Sequence, residues 1–179
     1  NITELENIKI TAAHEFFHAI QFSYNCYERF WLMEATAVWS EDEIYNEIND
    51  HYRYMPSWFQ NSAKPIDDES SHMYGSFIFF QYIDEHIGGY ETIKNIWERS
   101  RSNANSVNDV SFISINEALE SVGSSFSDAL NNMRIANRIM SSQQNADPFT
   151  YVEAESYPVT GPLEIAQLYF EAVSYTHLT

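Results

Sequence analysis

Positive charge is scarce in this chain. Nine Lys and Arg stand against 26 Asp and Glu, for a formal charge of −17. Proteins that track phosphate backbones need basic patches, so the balance argues against nucleic acid as a partner. It also disfavours attachment to an anionic membrane surface. The surplus acid reads as solubility in a saline or extracellular setting, with a preference for cationic partners as the alternative. Long apolar runs are missing as well. The stretch at Phe77–Phe80 is far shorter than the roughly 18 residues of a bilayer span, which predicts no stable membrane insertion. Cysteine occurs once, at Cys26, which excludes an internal disulfide. That thiol reads as a partly buried side chain and not as a nucleophile. The chain opens on Asn1 without an export signal, and is read as a fragment whose natural start has been lost. Residues 172–179 resemble a translated sequencing tail, which sets His177 aside as a ligand.

What is present is apolar and aromatic. Hydrophobic residues make up 44% of the 179 positions and aromatic residues 16%, enough for one domain with a real core and too much for a disordered tail. The periodicity is helical. It predicts helices over Ile8–Ser23, Phe30–Tyr45, His72–Ile87, Tyr90–Arg99, Ile115–Val122 and Ser125–Met140, with a short one over Met55–Gln60. Thr11 and the residues before it are expected to supply the start of the first, which is expected to bury Ala13, Phe16, Phe17 and Ile20. Gly88-Gly89 is expected to stop the helix over His72–Ile87, and Ser125 or Ser127 to cap the last, with Ile135 inward. Tyr74, Phe77, Ile78 and Tyr82 read as core, and His51 and His86 as surface or structural. A polar tract from Ser141 marks a boundary. Beyond it Phe149–Val152 and Ile165–Phe170 read as strands. The fold class is therefore mainly α over residues 1–141, followed over 142–171 by a linker and the start of a truncated β-rich region.

One motif carries chemistry. His14-Glu15-Phe16-Phe17-His18 is an H-E-x-x-H pattern on a predicted helix. Histidines four apart project from one side, so both imidazoles can approach one metal ion. Glu15 is displaced from that face by one position and can reach a water on the ion. The motif alone recurs by chance and needs a third ligand. Trp31-Leu32-Met33-Glu34-Ala35-Thr36-Ala37 supplies one acid inside an apolar helix start, with fifteen residues between His18 and Glu34. Two antiparallel helices joined by a short turn would bring Glu34 back beside the histidines. The result is a His14–His18–Glu34 site for one zinc ion, with a position left for water. Ligating imidazoles donate their other N–H to an acceptor, and Glu41, Asp42 or Glu43 could provide one.

The pairing of H-E-x-x-H with a downstream W-L-x-E-x-x-A helix resembles the gluzincin clan of zinc peptidases. Thr11 to Gln21 and Trp31 to Trp39, with Tyr74-Gly75-Ser76-Phe77, look more closely like a group of bacterial sequences read as secreted metallopeptidases. The likeness covers about residues 8 to 100. It implies a zincin-like catalytic subdomain, Glu34 as third ligand, a peptide or protein substrate, and secretion or display at a bacterial cell surface. The spacing to Glu34 is shorter than in thermolysin-like enzymes, and no G-x-M-E-N segment precedes the first helix. The implied chemistry is hydrolysis of a peptide bond by a metal-bound water that Glu15 activates. Tyr74, and after it His72, are the candidate donors to the oxyanion. The competing readings are a peptidase-fold binding or surface-adhesion module that has lost catalysis, and a helical structural domain without metal.

Overall fold

A computed structural model describes residues 2–103, 110–143 and 148–161. The chain begins in α1 (Glu4–Asn25). This helix starts four residues before Ile8, because Thr3 and Glu6 close a reciprocal capping box: Glu6 N donates to Thr3 Oγ1 at 3.3 Å, and Thr3 N to Glu6 Oε2 at 2.6 Å. A four-residue turn leads to α2 (Phe30–Ile44). A 3₁₀ turn (Asp50–Tyr54) runs into α3 (Met55–Gln60), the range the sequence predicts.

The helix expected over His72–Ile87 is divided. It forms α4 (His72–Gly75) and α5 (Phe77–His86), with Ser76 between them. Ser76 Oγ donates to Ile66 O at 2.9 Å and accepts from Trp58 Nε1 at 3.3 Å, tying the junction to the preceding loop. Beyond α5, Gly88 and Gly89 have φ of 87° and 74°, a region only glycine enters without strain. Then follow α6 (Tyr90–Asn103), α7 (Val110–Ser121) and α8 (Phe126–Ile139). Ser125 is the cap of α8, and its hydroxyl accepts from Asp128 N at 3.1 Å. Ile135 faces outward, at 44% exposure.

The helical bundle is built around α2 and α5. From Trp31 to Asp42 every residue of α2 except Glu34 is buried, as is every residue of α5 from Phe77 to Ile83. A helix that is apolar all round belongs in the interior. Trp31, Leu32, Phe77, Phe79, Phe80 and Ile83 are at 0% exposure. Burying side chains of this size contributes about 1.5–3 kcal/mol each, so these two helices hold the bundle together. The α1–α2 turn is fastened to the far side by Glu28, a buried acid that accepts from Ser100 Oγ and Ser111 Oγ. Asn25 Nδ2 also donates to Ser100 Oγ, at 3.1 Å.

Several expectations are corrected. Helix α1 buries Ile10, Ala13 and Gln21, and Phe17 packs partly on the core, while Phe16 (66%) and Ile20 (38%) face out. The inward line 10–13–17–21 follows the helical repeat, and positions 16 and 20 fall on its flank. Cys26 is exposed. Of the two roles expected for His51, surface or structural, its 1% exposure fits the second.

No strand occurs among the described residues, and Phe149–Val152 forms none. Instead Tyr151 is fully buried, its hydroxyl donating to Asn137 Oδ1 at 2.6 Å, and a 3₁₀ turn follows at Ala154–Ser156. Val152 N finds Glu85 Oε2 at 3.0 Å, and His86 Nε2 donates to Thr150 O at 2.8 Å. With its backbone bonds taken by the Glu85 and His86 side chains and by Ser141 O, the alternating pattern has no neighbouring strand to pair with. Tyr151, Ala154 and Tyr157 belong to the main core, so the segment after residue 148 is not packed apart from the helices. Ile165–Phe170 and residues 172–179 lie outside the described residues. Among the described residues no helix is long and apolar enough to cross a membrane.

Gly75 marks a close approach. A Cβ placed there would stand 2.6 Å from Trp58 Cβ, and Trp58 is itself stacked on His72 at 5.5 Å. Gly75→Ala is expected to destabilise the fold by about 1–3 kcal/mol, the usual cost of overpacking, as measured by urea denaturation.

Candidate metal centre

The contacts between α1 and α2 run antiparallel. Gln21 meets Met33 and Thr36, His18 meets Glu34, and His14 meets Glu34 and Glu41. As the number falls on α1 it rises on α2. The reason lies in the short turn, which folds α2 back along α1.

Three donor groups converge at this seam. His14 Nε2 is 3.1 Å from Glu34 Oε2, and His18 Nε2 is 3.6 Å from Glu34 Oε1. One ligand atom each of His14, His18 and Glu34 lies within 4.8 Å of the other two. In a tetrahedral site with bonds near 2.0–2.1 Å, neighbouring donors stand about 3.3–3.4 Å apart. The two imidazole–carboxylate separations bracket that value. The rings are set edge to face, with centroids 4.6 Å apart and planes at 89°.

The other nitrogen of each ring is held. His14 Nδ1–H donates to Glu41 Oε1 at 2.7 Å, and Glu41 is 3% exposed. His18 Nδ1–H donates to Gln21 Oε1 at 2.6 Å. The orientation of the Gln21 amide follows from its surroundings. Its Nε2 lies 2.8 Å from Met33 O and 2.9 Å from Thr36 Oγ1. Thr36 Oγ1 gives its own proton to Leu32 O at 2.7 Å, so both neighbours of Nε2 accept. The amide oxygen must therefore face His18. Each ring is thus fixed with its Nε2 turned toward Glu34, the orientation that histidine ligands require.

The electrostatics fit a cation here. Burial disfavours the charged ring of His14, but its hydrogen bonds to Glu34 and Glu41 outweigh burial and raise its pKa to about 9. Burial in turn pushes Glu41 above the usual carboxylate range, against the pull of His14. Two acids face one imidazole, and the positive charge they favour is a proton on that ring when nothing else supplies it.

The remaining expected residues divide. Glu15 is on the exposed side of α1, adjacent to His14 in sequence. Tyr74 is half-buried and stacks on Tyr54 at 5.1 Å. Burial, and next the Glu34 carboxylate, raise its pKa, which keeps its hydroxyl a donor. The His72 ring stacks on Trp58, and burial lowers its pKa. Of the three acids at the end of α2, Glu41 holds His14, Asp42 faces His51, and Glu43 is exposed. Sequence reasoning missed Gln21. The available signal was a glutamine three residues after His18, on the inward line of α1. Two surface depressions, one along Tyr24, Glu98 and Arg101 and one along Gly88, Thr92 and Asn95, include none of these residues.

Fold and site together define a mainly helical protein with a His–His–Glu cluster between its first two helices. A family model described as a family of unknown function (DUF6055) matches residues 2–144, and the chain belongs to that family. No curated protein and no solved structure matches it.

Replacing Gln21 with Leu removes the acceptor that orients His18. Affinity for a divalent ion is expected to fall roughly 10–100-fold in a chelator competition assay, with the helical circular dichroism retained.

Proposed function

We propose that this chain is a zinc-dependent peptidase, with His14, His18 and Glu34 as the metal ligands and Glu15 as general base. The observation that carries the reading is the convergence of two oriented imidazoles on one carboxylate at donor spacing. The ligand set of two histidines and one glutamate is that of catalytic zinc sites that keep a fourth position open. A zinc ion there would supply Lewis acidity and lower the pKa of water toward about 7.

The chain's own residues supply the rest of the chemistry. Glu41 and Gln21 hold the two rings, so that substrate binding does not require them to turn. Glu15 stands one position beyond His14, exposed toward solvent, and its carboxylate takes the proton of the attacking water and returns it to the leaving amine. Tyr74, kept protonated by burial and by Glu34, donates to the oxygen that gains charge. His72 takes a packing role against Trp58 in this reading. Phe16, Ile20 and Phe22 are exposed on α1 and offer apolar surface to a peptide. Secretion before action is part of the proposal, supported by the surplus of acid and by the sequence resemblance.

Glu15→Gln is expected to abolish turnover of a mixed peptide library while one zinc per site is retained, measured by mass spectrometry of products and by metal analysis. Unchanged cleavage in that variant would remove Glu15 from the mechanism. Tyr74→Phe is expected to lower kcat by about 10²–10³-fold with little change in KM, the signature of a lost oxyanion donor. Zinc binding by the wild-type chain without cleavage of any library member would favour the binding-module reading instead.

A further inference from the structure

A second group of ligand-type side chains converges away from the first, and the proposed reaction does not use it. Asp42 lies near the end of α2, His51 in the 3₁₀ turn Asp50–Tyr54, and Glu153 just before the turn Ala154–Ser156. One ligand atom of each lies within 4.8 Å of the other two. Asp42 is 5% exposed and His51 1%. Asp42 Oδ1, the oxygen nearest His51 Nε2, is buried without a hydrogen-bond partner among the described residues. Such atoms are rare in folded proteins and point to a group that completes them.

The spacing and the charge identify that group. His51 Nε2 stands 3.7 Å from Asp42 Oδ1, too far for a hydrogen bond and near the separation of two donors on a shared ion. Asp42 also feels the fields of Glu153, Glu85, Asp84 and Glu41, all acidic. Among the described residues no Lys or Arg forms an ion pair with Asp42 or Glu153. Buried carboxylates crowded in this way are retained when a cation is bound between them. Glu153 is already oriented, since Tyr52 donates its hydroxyl proton to Glu153 Oε2 at 2.8 Å. Calcium and magnesium prefer oxygen ligands alone, whereas an imidazole with two carboxylates suits zinc, manganese or cobalt.

We propose that Asp42, His51 and Glu153 form a second site, for a divalent transition-metal ion that pins the segment from residue 148 to the end of α2. This stands independently of the peptidase reading. Zinc titrated by calorimetry into chelator-stripped protein tests it. Wild-type chain is expected to bind two equivalents, and Asp42→Asn and Glu153→Gln one each. Glu153→Gln keeps an acceptor for Tyr52 and so preserves the fold, which circular dichroism checks. Zinc is also expected to raise the Tm of the His14→Ala/His18→Ala variant, and not when Asp42→Asn is added. Two equivalents bound by a folded Glu153→Gln variant would overturn the proposal, as would a wild-type chain that binds none, or a single ion removed only by His14→Ala/His18→Ala. A single ion removed by Asp42→Asn and kept in the histidine variant would uphold this site and sink the first.

Discussion

One carboxylate sets the terms of the structure. Glu34 is the sole charged residue between Phe30 and Ser40, on a helix otherwise sunk in the core. A carboxylate in such a place is costly unless something positive or hydrogen-bonding meets it. Here the two imidazoles of α1 meet it, at 3.1 and 3.6 Å. That requirement helps fix the register of the two helices, because a slide by one turn would leave Glu34 beside at most one of the two rings. Gln21 and Glu41 reinforce the register from either end of the seam, each by holding one ring.

Helix α2 serves more than one purpose because of its period. Glu34 and Glu41 are seven positions apart, about two turns, and so face the same neighbour. Asp42 is one position further, rotated by roughly 100°, and faces the 3₁₀ turn and the C-terminal segment instead. Adjacent acids on one helix end therefore belong to two different clusters. Their placement there runs against the helix dipole, which favours cations at a C-terminus. A role for both carboxylates in holding positive groups, a histidine ring for one and an ion for the other, accounts for acids in that position.

The helices were legible where apolar residues recur at helical spacing. Phe30–Ile44 and Met55–Gln60 match the sequence reading closely, and Ser125 caps α8 as its residue type suggests. The reading failed where a tertiary partner overrode local pattern. Ser76 interrupts a run of helix formers because its hydroxyl is engaged by Ile66 and Trp58, which are remote in sequence. Phe149–Val152 alternates like a strand, yet its backbone is taken up by Glu85 and Ser141. Phe16 and Ile20 looked like core because nothing in α1 alone tells which flank of the helix the neighbours cover.

By itself the sequence singled out His14, His18 and Glu34 as one group. The four-residue interval of His14 and His18 sets two rings on one side of a helix, and a lone acid in an apolar run has few other uses. Only the tertiary structure decided which atoms of those rings are free. Glu41 and Gln21 are brought to His14 and His18 by the antiparallel packing of α1 on α2, a contact that no single helix contains. The pairing of Asp42 with His51 and Glu153 depends still more on the fold. Three segments distant along the chain meet there, and spacing within any one of them carries no trace of the other two.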